Sequence, residues 1–278
     1  MNKGLLKKLG LVVAIGAMAI SIIGCSGNKN AEGSKGSKES ASVLESIKQK
    51  GKLVVGTSAD YPPYEFHKEI DGKDQIVGFD ISMAKSLAED LGVELQINDM
   101  DFDGLLIALQ AGKVDMVFAG MTPTDERKEN ADFSDIYYTA KHGFIVRKGE
   151  EGNIKSLDDL KNKKIGVQKG SIQERLANDK IPDAEKKALG KVTDLVLDLK
   201  NNKVDAILVE LPVAEFNCEK NSDIALTDVI LEDSEGGSAI AMNKGSDDLK
   251  SEINKTIQKL KDEGKIDQFV IEANDMVE

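Results

Sequence analysis

Short apolar stretches alternate with amphipathic stretches along most of this chain. Between Phe79 and Leu91 the apolar residues recur every three or four positions, which is the spacing of one helix face. Residues 53–56 and 93–97 have patterns typical of short strands, and residues 114–119 read as a buried strand that follows a helix. This alternation of strands and helices predicts an α/β fold with mostly parallel sheets flanked by helices.

The second half of the chain repeats part of this pattern. Residues 195–208 match residues 105–118 at an offset of 90, and each stretch combines a helix, a turn and a strand. Any such unit shares some hydrophobic pattern, but five identities within 11 positions favour a true repeat. We therefore predict two similar α/β lobes. The identical pairs are Leu105/Leu195, Leu109/Leu199, Lys113/Lys203, Val114/Val204 and Asp115/Asp205.

The order of the elements gives the expected domain organisation. Residues 43–139 form the first part of lobe 1, and residues 140–237 form lobe 2. Residues 238–278 return to lobe 1 and add C-terminal helices. The chain would then cross between the lobes twice, near residues 138–142 and near residues 236–241, and we expect these two crossover strands to act as a hinge.

The first residues have the pattern of a secretory leader. Lys3, Lys7 and Lys8 precede 16 uncharged, mostly apolar residues at positions 9–24. A helix of that length covers about 24 Å, which is short of the hydrocarbon core of about 30 Å, so an uncleaved membrane anchor is the weaker alternative. We expect residues 1–24 to be a signal peptide.

A cysteine stands directly after this leader. The sequence Ile22-Ile23-Gly24-Cys25 resembles the lipobox of bacterial lipoproteins, although Ile22 replaces the preferred leucine. The resemblance implies that Cys25 becomes the lipidated N-terminus of a protein held on the extracytoplasmic face of the cell membrane. Residues 25–42 are rich in Ser, Gly, Lys and Glu, which predicts a flexible tether between the membrane and the folded body.

The overall composition argues against several classes of function. The 278 residues include 37 Lys and Arg against 49 Asp and Glu, and the resulting net charge of −12 disfavours nucleic-acid binding. Two cysteines and two histidines do not suggest a disulfide scaffold or a His-rich metal site. No GxSxG, HExxH, P-loop or CxxC motif occurs, so we expect no catalytic residue, no metal and no cofactor.

Candidate ligand-binding residues follow the predicted strands. Ligands of open α/β sheets gather at the carboxyl ends of parallel strands, so the segments after these strands should meet in one cleft. These segments contain aromatic rings, hydroxyls, amides, an arginine and a glutamate. The candidate residues are Ser58, Tyr61, Phe102, Ala119, Gly120, Thr122, Arg127, Gln168, Lys169, Ser171, Ile172, Gln173 and Glu210.

This set of side chains suits a small zwitterion. Arg127 can hold a carboxylate with two parallel hydrogen bonds, and the helix start at residues 169–171 can add free N–H groups. An ammonium group needs an acidic partner, which Glu210 can supply together with the Thr122 hydroxyl or the Gly120 carbonyl.

Each of these residues also has a purely structural explanation. Tyr61 and Phe102 can enclose the ligand side chain, or they can simply belong to the core. Arg127 can cap its own turn, and Glu210 can be an ordinary carboxylate at a sheet edge. Residues 169–171 can be a bare helix start. The residue types alone leave these alternatives open.

Four stretches carry a resemblance to a known family. They are VGTSADYPPYEF at 55–66, VGFDI at 77–81, AGMTPTDER at 119–127 and DFSDIYY at 132–138. Together they resemble the family 3 extracellular solute-binding proteins, the amino-acid-capturing subunits of ABC importers. The likeness runs from about residue 50 to about residue 264 and implies the two-lobed type II periplasmic-binding-protein fold.

The resemblance also implies a role for each candidate residue. Arg127 would grip the α-carboxylate of the ligand, and Glu210, where relatives often carry Asp, would contact its α-amino group. Tyr61 and Phe102 correspond to the aromatic residues that enclose the ligand. The remaining implied contacts are Ala119, Gly120, Thr122, Gln168, Lys169, Ser171 and Gln173.

The expected function is therefore the lipid-anchored solute-binding subunit of an ABC importer. As a monomer, it would capture a free polar amino acid between hinged lobes and deliver it to the membrane permease. The resemblance favours arginine or a related basic or polar amino acid, but Ser58 stands where many members that bind basic amino acids have Asp. Two alternatives remain: an enzyme on the same fold, such as a dehydratase of cyclohexadienyl acids, and a ligand-sensing surface lipoprotein.

Overall fold

The computed structural model of the chain describes residues 42–232 and 236–277. The predicted signal peptide, the lipidated Cys25 and the tether lie outside the described residues, apart from Ser42. Helices lie at Val43–Lys50 (α1), Phe79–Leu91 (α2), Leu105–Gln110 (α3), Asp125–Asn130 (α4), Ile172–Lys180 (α5), Val192–Lys200 (α6), Leu211–Lys220 (α7), Asp247–Asp262 (α8) and Lys265–Asn274 (α9).

The strands are short, and most of them are separated by helices. They lie at Lys52–Thr57 (β1), Asp60–Tyr61 (β2), Glu65–Ile70 (β3), Lys73–Val77 (β4), Glu94–Asp99 (β5), Met116–Val117 (β6), Asp132–Phe133 (β7), His142–Arg147 (β8), Lys164–Gln168 (β9), Glu185–Leu189 (β10), Ala206–Glu210 (β11), Ile224–Leu231 (β12) and Ala241–Met242 (β13). The segment 114–119, which was predicted as a strand, is buried along most of its length. Only its two residues in β6 form a strand.

Ten of these strands build two five-stranded sheets with the same topology. The first sheet has the order β5-β1-β6-β13-β7, and the second has the order β10-β9-β11-β8-β12. In the first sheet only β13 runs against its neighbours, and in the second only β8 does. Four of the five strands in each sheet therefore run in one direction. A small antiparallel sheet, β2-β3-β4, accompanies them.

The predicted repeat occupies the same place in both sheets. α3 leads through a turn into β6, and α6 leads into β11, so that each new strand lies beside β1 or β9. Asp115 Oδ2 accepts a hydrogen bond from the Val54 N–H at 2.7 Å, and Asp205 Oδ2 accepts one from the Lys164 N–H at 2.8 Å. Each repeated aspartate therefore hydrogen-bonds the turn before β6 or β11 to the adjacent strand, β1 or β9.

The helical stripe predicted between Phe79 and Leu91 is α2, and its apolar residues are buried as expected. The helix begins after Gly78, whose φ is +126°. A Cβ atom at Gly78 would collide with the backbone carbonyl of Tyr64, so only glycine permits this close approach. The tight turn brings the first residues of α2, including Asp80, beneath Tyr64.

The chain passes between the two sheets at two neighbouring places. One passage joins β7 to β8 and the other joins β12 to β13, and Tyr138 and Ser238 form an antiparallel bridge between them. These passages lie where crossover strands were expected, while the lobe boundaries at 139, 237 and 278 stay predictions. Within the described parts of the chain, no helix combines the length and apolar character needed to cross a bilayer.

Candidate functional site

A small enclosed cavity lies where the two sheets face each other. Its walls come from the segments that follow β1, β5, β6 and β9, at the carboxyl ends of these parallel strands. Ten of the thirteen residues expected at the site line this cavity. They are Tyr61, Phe102, Ala119, Gly120, Thr122, Arg127, Gln168, Ser171, Ile172 and Gln173.

Arg127 joins the two sides of the cavity. Its backbone is fixed by Thr124, the N-cap of α4, whose Oγ1 accepts a hydrogen bond from the Arg127 N–H at 3.2 Å. The guanidinium donates from Nη1 to the Thr122 carbonyl at 2.7 Å and from Nη2 to the Gly170 carbonyl at 2.8 Å. Its Cζ atom lies 5.3 Å from the centre of the Phe102 ring, within the range of a cation–π contact.

The opposite wall is built around the start of α5. Ser171 is the N-cap of this helix: its Oγ accepts a hydrogen bond from the Glu174 N–H at 3.2 Å and donates to the Gln168 carbonyl at 2.7 Å. Gln173, in the first turn of the helix, contacts the Tyr61 hydroxyl and the His142 ring, both at 3.2 Å. The residues of this wall that line the cavity are uncharged and present hydroxyl, amide and helix N–H groups, while the Glu174 carboxylate accepts a hydrogen bond from the Gly170 N–H at 2.6 Å.

Three of the expected site residues do not line the cavity. The Ser58 hydroxyl donates to Asp60 at 2.7 Å, and Lys169 forms an ion pair with Asp103 at 2.8 Å that raises the pKa of the lysine. Glu210 is buried, and its carboxylate accepts a hydrogen bond from the Tyr64 hydroxyl. The role of Glu210 at a ligand ammonium group stays a prediction.

Asp60 lies next to the cavity, 3.5 Å from the Gln168 side chain, and the sequence patterns did not reveal it. It belongs to lobe 1, yet its buried carboxylate accepts a hydrogen bond from the Val192 N–H at the first turn of α6 in lobe 2. Burial raises the pKa of Asp60, and the hydrogen bonds from Ser58 and Val192 act in the opposite direction. Next to it, Lys191 and Asp99 form a second contact between the lobes at 3.2 Å.

A cluster of buried acids lies behind the cavity on the side of lobe 1. Glu65 on β3 and Asp80 on α2 are both fully or almost fully buried. Burial raises the pKa of Glu65 well above its ordinary value, and the neighbouring carboxylates of Asp80, Asp60 and Glu210 add to this shift. A signal for Asp80 was present in the sequence, because it lies on the same helical face as Ala84 and Leu87.

The geometry defines a class of protein. Two similar α/β lobes joined by two adjacent crossings, with a polar cavity between the ends of their strands, form the fold of the type II periplasmic binding proteins. Solved structures of this class match the chain and confirm the predicted fold.

The chain belongs to the bacterial extracellular solute-binding proteins, family 3, whose model matches residues 53–272. It is 44% identical over 225 residues to the arginine-binding extracellular protein ArtP of Bacillus subtilis, covering 79% of this chain and 85% of ArtP. The family assignment places the protein outside the cytoplasm.

Two solved structures illustrate the range of the likeness. AbpA of Streptococcus pneumoniae, an amino acid ABC transporter substrate-binding protein solved with bound L-arginine, is 45% identical with a TM-score of 0.82, covering 84% of this chain and 98% of AbpA. The ancestral amino acid-binding protein AncCDT-1, a precursor of cyclohexadienyl dehydratase, is 34% identical with a TM-score of 0.76. The match covers 83% of this chain and 99% of the AncCDT-1 chain.

Proposed function

We propose that this protein is the substrate-binding component of an ABC importer and that it captures a free amino acid, L-arginine above all, in the cavity between its lobes. The observation that carries the proposal is the position of Arg127. Its guanidinium lies at the cavity between a carbonyl of lobe 1 and a carbonyl of lobe 2. A cation at this position, beside the N–H groups of α5, suits a carboxylate.

The proposed binding mode divides the ligand between the two lobes. The α-carboxylate exchanges one of the carbonyl contacts of Arg127 for a two-point hydrogen bond and meets the N–H groups near Ser171. The Phe102 and Tyr61 rings enclose the ligand side chain. Because groups from both lobes share one ligand, binding favours the arrangement in which the lobes are closed.

The choice of L-arginine rests on relatives and on buried charge. ArtP is named for arginine binding, and AbpA holds L-arginine in its crystal. This chain carries Ser58 in place of a common acidic partner, but Ser58 hydrogen-bonds the buried Asp60, and Asp60 Oδ2 lies 3.5 Å from the Gln168 side chain that lines the cavity. A buried carboxylate next to the cavity favours a cationic ligand side chain.

A thermal-shift screen with the twenty amino acids tests this function directly. A ligand at 100 times its dissociation constant stabilises the protein by about 2.7 kcal/mol, so that true ligands stand out clearly. We expect L-arginine to give the largest shift, with lysine, histidine and glutamine behind it. The absence of a shift with every amino acid would contradict the proposal.

The location proposed for the protein is the extracytoplasmic face of the cell membrane, where a lipid on Cys25 holds a monomer near the permease. The motif at residues 22–25 supports this anchor. Changing Cys25 to Ser should release the protein from the membrane fraction and abolish labelling by a palmitate analogue. Unchanged labelling of the variant would exclude Cys25 as the lipidated residue.

A dehydratase is the second candidate, because AncCDT-1 shares the fold at 34% identity. That reaction needs an acid or base in contact with the substrate. Incubation with prephenate and arogenate should give no turnover above background, while the same sample binds L-arginine. Catalytic turnover of either acid would favour the enzyme instead.

A further inference from the structure

The buried acids Glu65 and Asp80 form a carboxyl pair behind the ligand cavity. Glu65 is 1% exposed and Asp80 is fully buried. In the described part of the chain, Oδ1 of Asp80 and both side-chain oxygens of Glu65 have no conventional hydrogen-bond donor. The two carboxyl groups influence each other's pKa, and a proton on Glu65 would allow this residue to donate a hydrogen bond to Oδ1 of Asp80.

The other oxygen of Asp80 organises two segments of the site. Oδ2 accepts a hydrogen bond from the Gly120 N–H at 3.0 Å and another from the Tyr137 hydroxyl at 2.8 Å. Gly120 lines the ligand cavity, and its φ of +54° lies in the left-handed region that favours glycine. Tyr137 immediately precedes Tyr138, whose backbone bridges the two crossings between the lobes.

The charges around the pair favour a neutral Glu65. The carboxylates of Asp80, Asp60 and Glu210 act on Glu65, and the hydroxyls of Tyr64 and Tyr137 face Glu210 and Asp80. His142 lies opposite Glu210 in the pairing of β8 with β11. Burial raises the pKa of Asp80 to about 6, while the Gly120 and Tyr137 hydrogen bonds and Glu65 act to lower it.

We propose that Asp80, hydrogen-bonded by a protonated Glu65, is a positioning residue that holds the Gly120 segment against the ligand and makes ligand affinity depend on pH. This inference rests on the proposed amino-acid site. A charged Asp80 accepts a stronger hydrogen bond from the Gly120 N–H than a protonated Asp80 does. Ligand affinity should therefore fall when the pH drops below about 6.

Two isosteric variants separate the roles of the two acids. Glu65→Gln keeps a permanent donor toward Asp80, and Asp80→Asn removes one of the two acceptor oxygens. Glu69→Gln is the matched control, because Glu69 lies on the same strand but is exposed. The full-length chains are purified in detergent, and their L-arginine affinities are measured by calorimetry from pH 5 to pH 8.

In the wild type we expect the affinity to weaken about three- to tenfold between pH 7 and pH 5. Asp80→Asn should bind at least about tenfold more weakly at pH 7 and lose this pH dependence. Glu65→Gln and Glu69→Gln should stay within about twofold of the wild type at pH 7. Asp80→Asn with wild-type affinity and pH profile, or a Glu65→Gln variant more than tenfold weaker, would overturn the proposal.

Thermal unfolding without ligand tests the pair independently of the proposed function. A group whose pKa is raised in the folded state stabilises the protein fully at low pH and loses this contribution as the pH rises. Relative to the wild type, Glu65→Gln should gain at least about 4 °C in unfolding temperature at pH 8 and almost nothing at pH 5. An equal effect at both pH values would exclude a protonated Glu65, even if no amino acid binds or Asp80→Asn fails to fold.

Discussion

The two lobes share a scaffold but present different chemistry to the cleft. The repeated unit at residues 105–118 and 195–208 places equivalent aspartates, Asp115 and Asp205, in equivalent hydrogen bonds. At the cavity, however, lobe 1 contributes the cationic Arg127 and the Phe102 ring, whereas lobe 2 contributes amides, a hydroxyl and a helix start. The shared fold therefore accounts for the repeated aspartates, whereas the residues that line the cavity differ between the lobes to suit the ligand.

The largest expected effect on ligand binding concerns Arg127, the charged residue that lobe 1 contributes to the cavity. Arg127→Ala should weaken L-arginine binding by about 2–5 kcal/mol, because the ligand carboxylate loses its charged partner in a buried site. Isothermal calorimetry measures the change. Lys128→Ala is the control, since the neighbouring Lys128 is half exposed and pairs only weakly with Asp125. Equal affinities of Arg127→Ala and the wild type would refute the assigned carboxylate clamp.

The contact between the lobes at Asp60 should have the next largest effect. Asp60→Asn removes an acceptor for the Val192 N–H or for Ser58, which weakens the closed arrangement. We expect a loss of about 1–2 kcal/mol in ligand binding, or roughly five- to thirtyfold in affinity. Asp71→Asn on the exposed turn after β3 is the control. An Asp60→Asn variant that binds as well as this control would show that the contact does not support closure.

The repeated aspartates offer a direct comparison of the two scaffolds. Asp115→Ala and Asp205→Ala should each lower the free energy of unfolding, by about 1–2 kcal/mol, because each leaves a backbone N–H without its acceptor. The Asp115 side chain is 15% exposed and that of Asp205 is 40% exposed, so the loss should be greater in lobe 1. Chemical denaturation measures both values.

Lys50→Ala serves as the control for Asp115, because Lys50 pairs with this carboxylate only from the exposed side. It should change the unfolding free energy by less than about 1 kcal/mol. If Lys50→Ala were as destabilising as Asp115→Ala, the contribution of Asp115 to stability would come from its ion pair with Lys50 and not from its hydrogen bond with the backbone.

The smallest effect comes from a position where the two repeats differ. Asp198 of α6 corresponds to Ala108 of α3, and it pairs with Lys187 at 2.6 Å and Lys203 at 3.0 Å. These lysines lower the pKa of Asp198, so its contribution is present above the ordinary pKa and is lost as the pH falls through the lowered value.

Asp198→Ala should therefore reduce the unfolding free energy by about 0.5–1 kcal/mol at pH 7 and by clearly less at pH 3. Denaturation at the two pH values measures the difference. A loss that is equally large at pH 3 would mean that side-chain packing, and not the two ion pairs, explains the contribution of Asp198.

The same comparison explains what the sequence could predict. The repeat, the strand ends and the resemblance led to the fold and to the ten residues that line the cavity, because these features follow from periodicity and from local motifs. The contacts of Asp60 with Val192, and of Asp80 with Gly120, join residues 132 and 40 positions apart. Such partners depend on how the lobes and loops meet, and no pattern within one element specifies them.

Glu210 shows the limit of residue type as a guide. A glutamate at the end of a strand suggested a partner for a ligand ammonium group, and this role stays a prediction; in the structure its carboxylate accepts a hydrogen bond from the Tyr64 hydroxyl. Whether an acid at a strand end faces the ligand depends on the orientation of the neighbouring aromatic residues, which composition does not encode.

Calorimetry with L-arginine and its methyl ester tests the central claim most directly, because the ester keeps the side chain and the α-amino group but removes the charged carboxylate. If Arg127 holds that carboxylate between the lobes, the ester should bind the wild-type protein at least about a hundredfold more weakly than L-arginine. An ester that binds as tightly as the free amino acid would contradict the account.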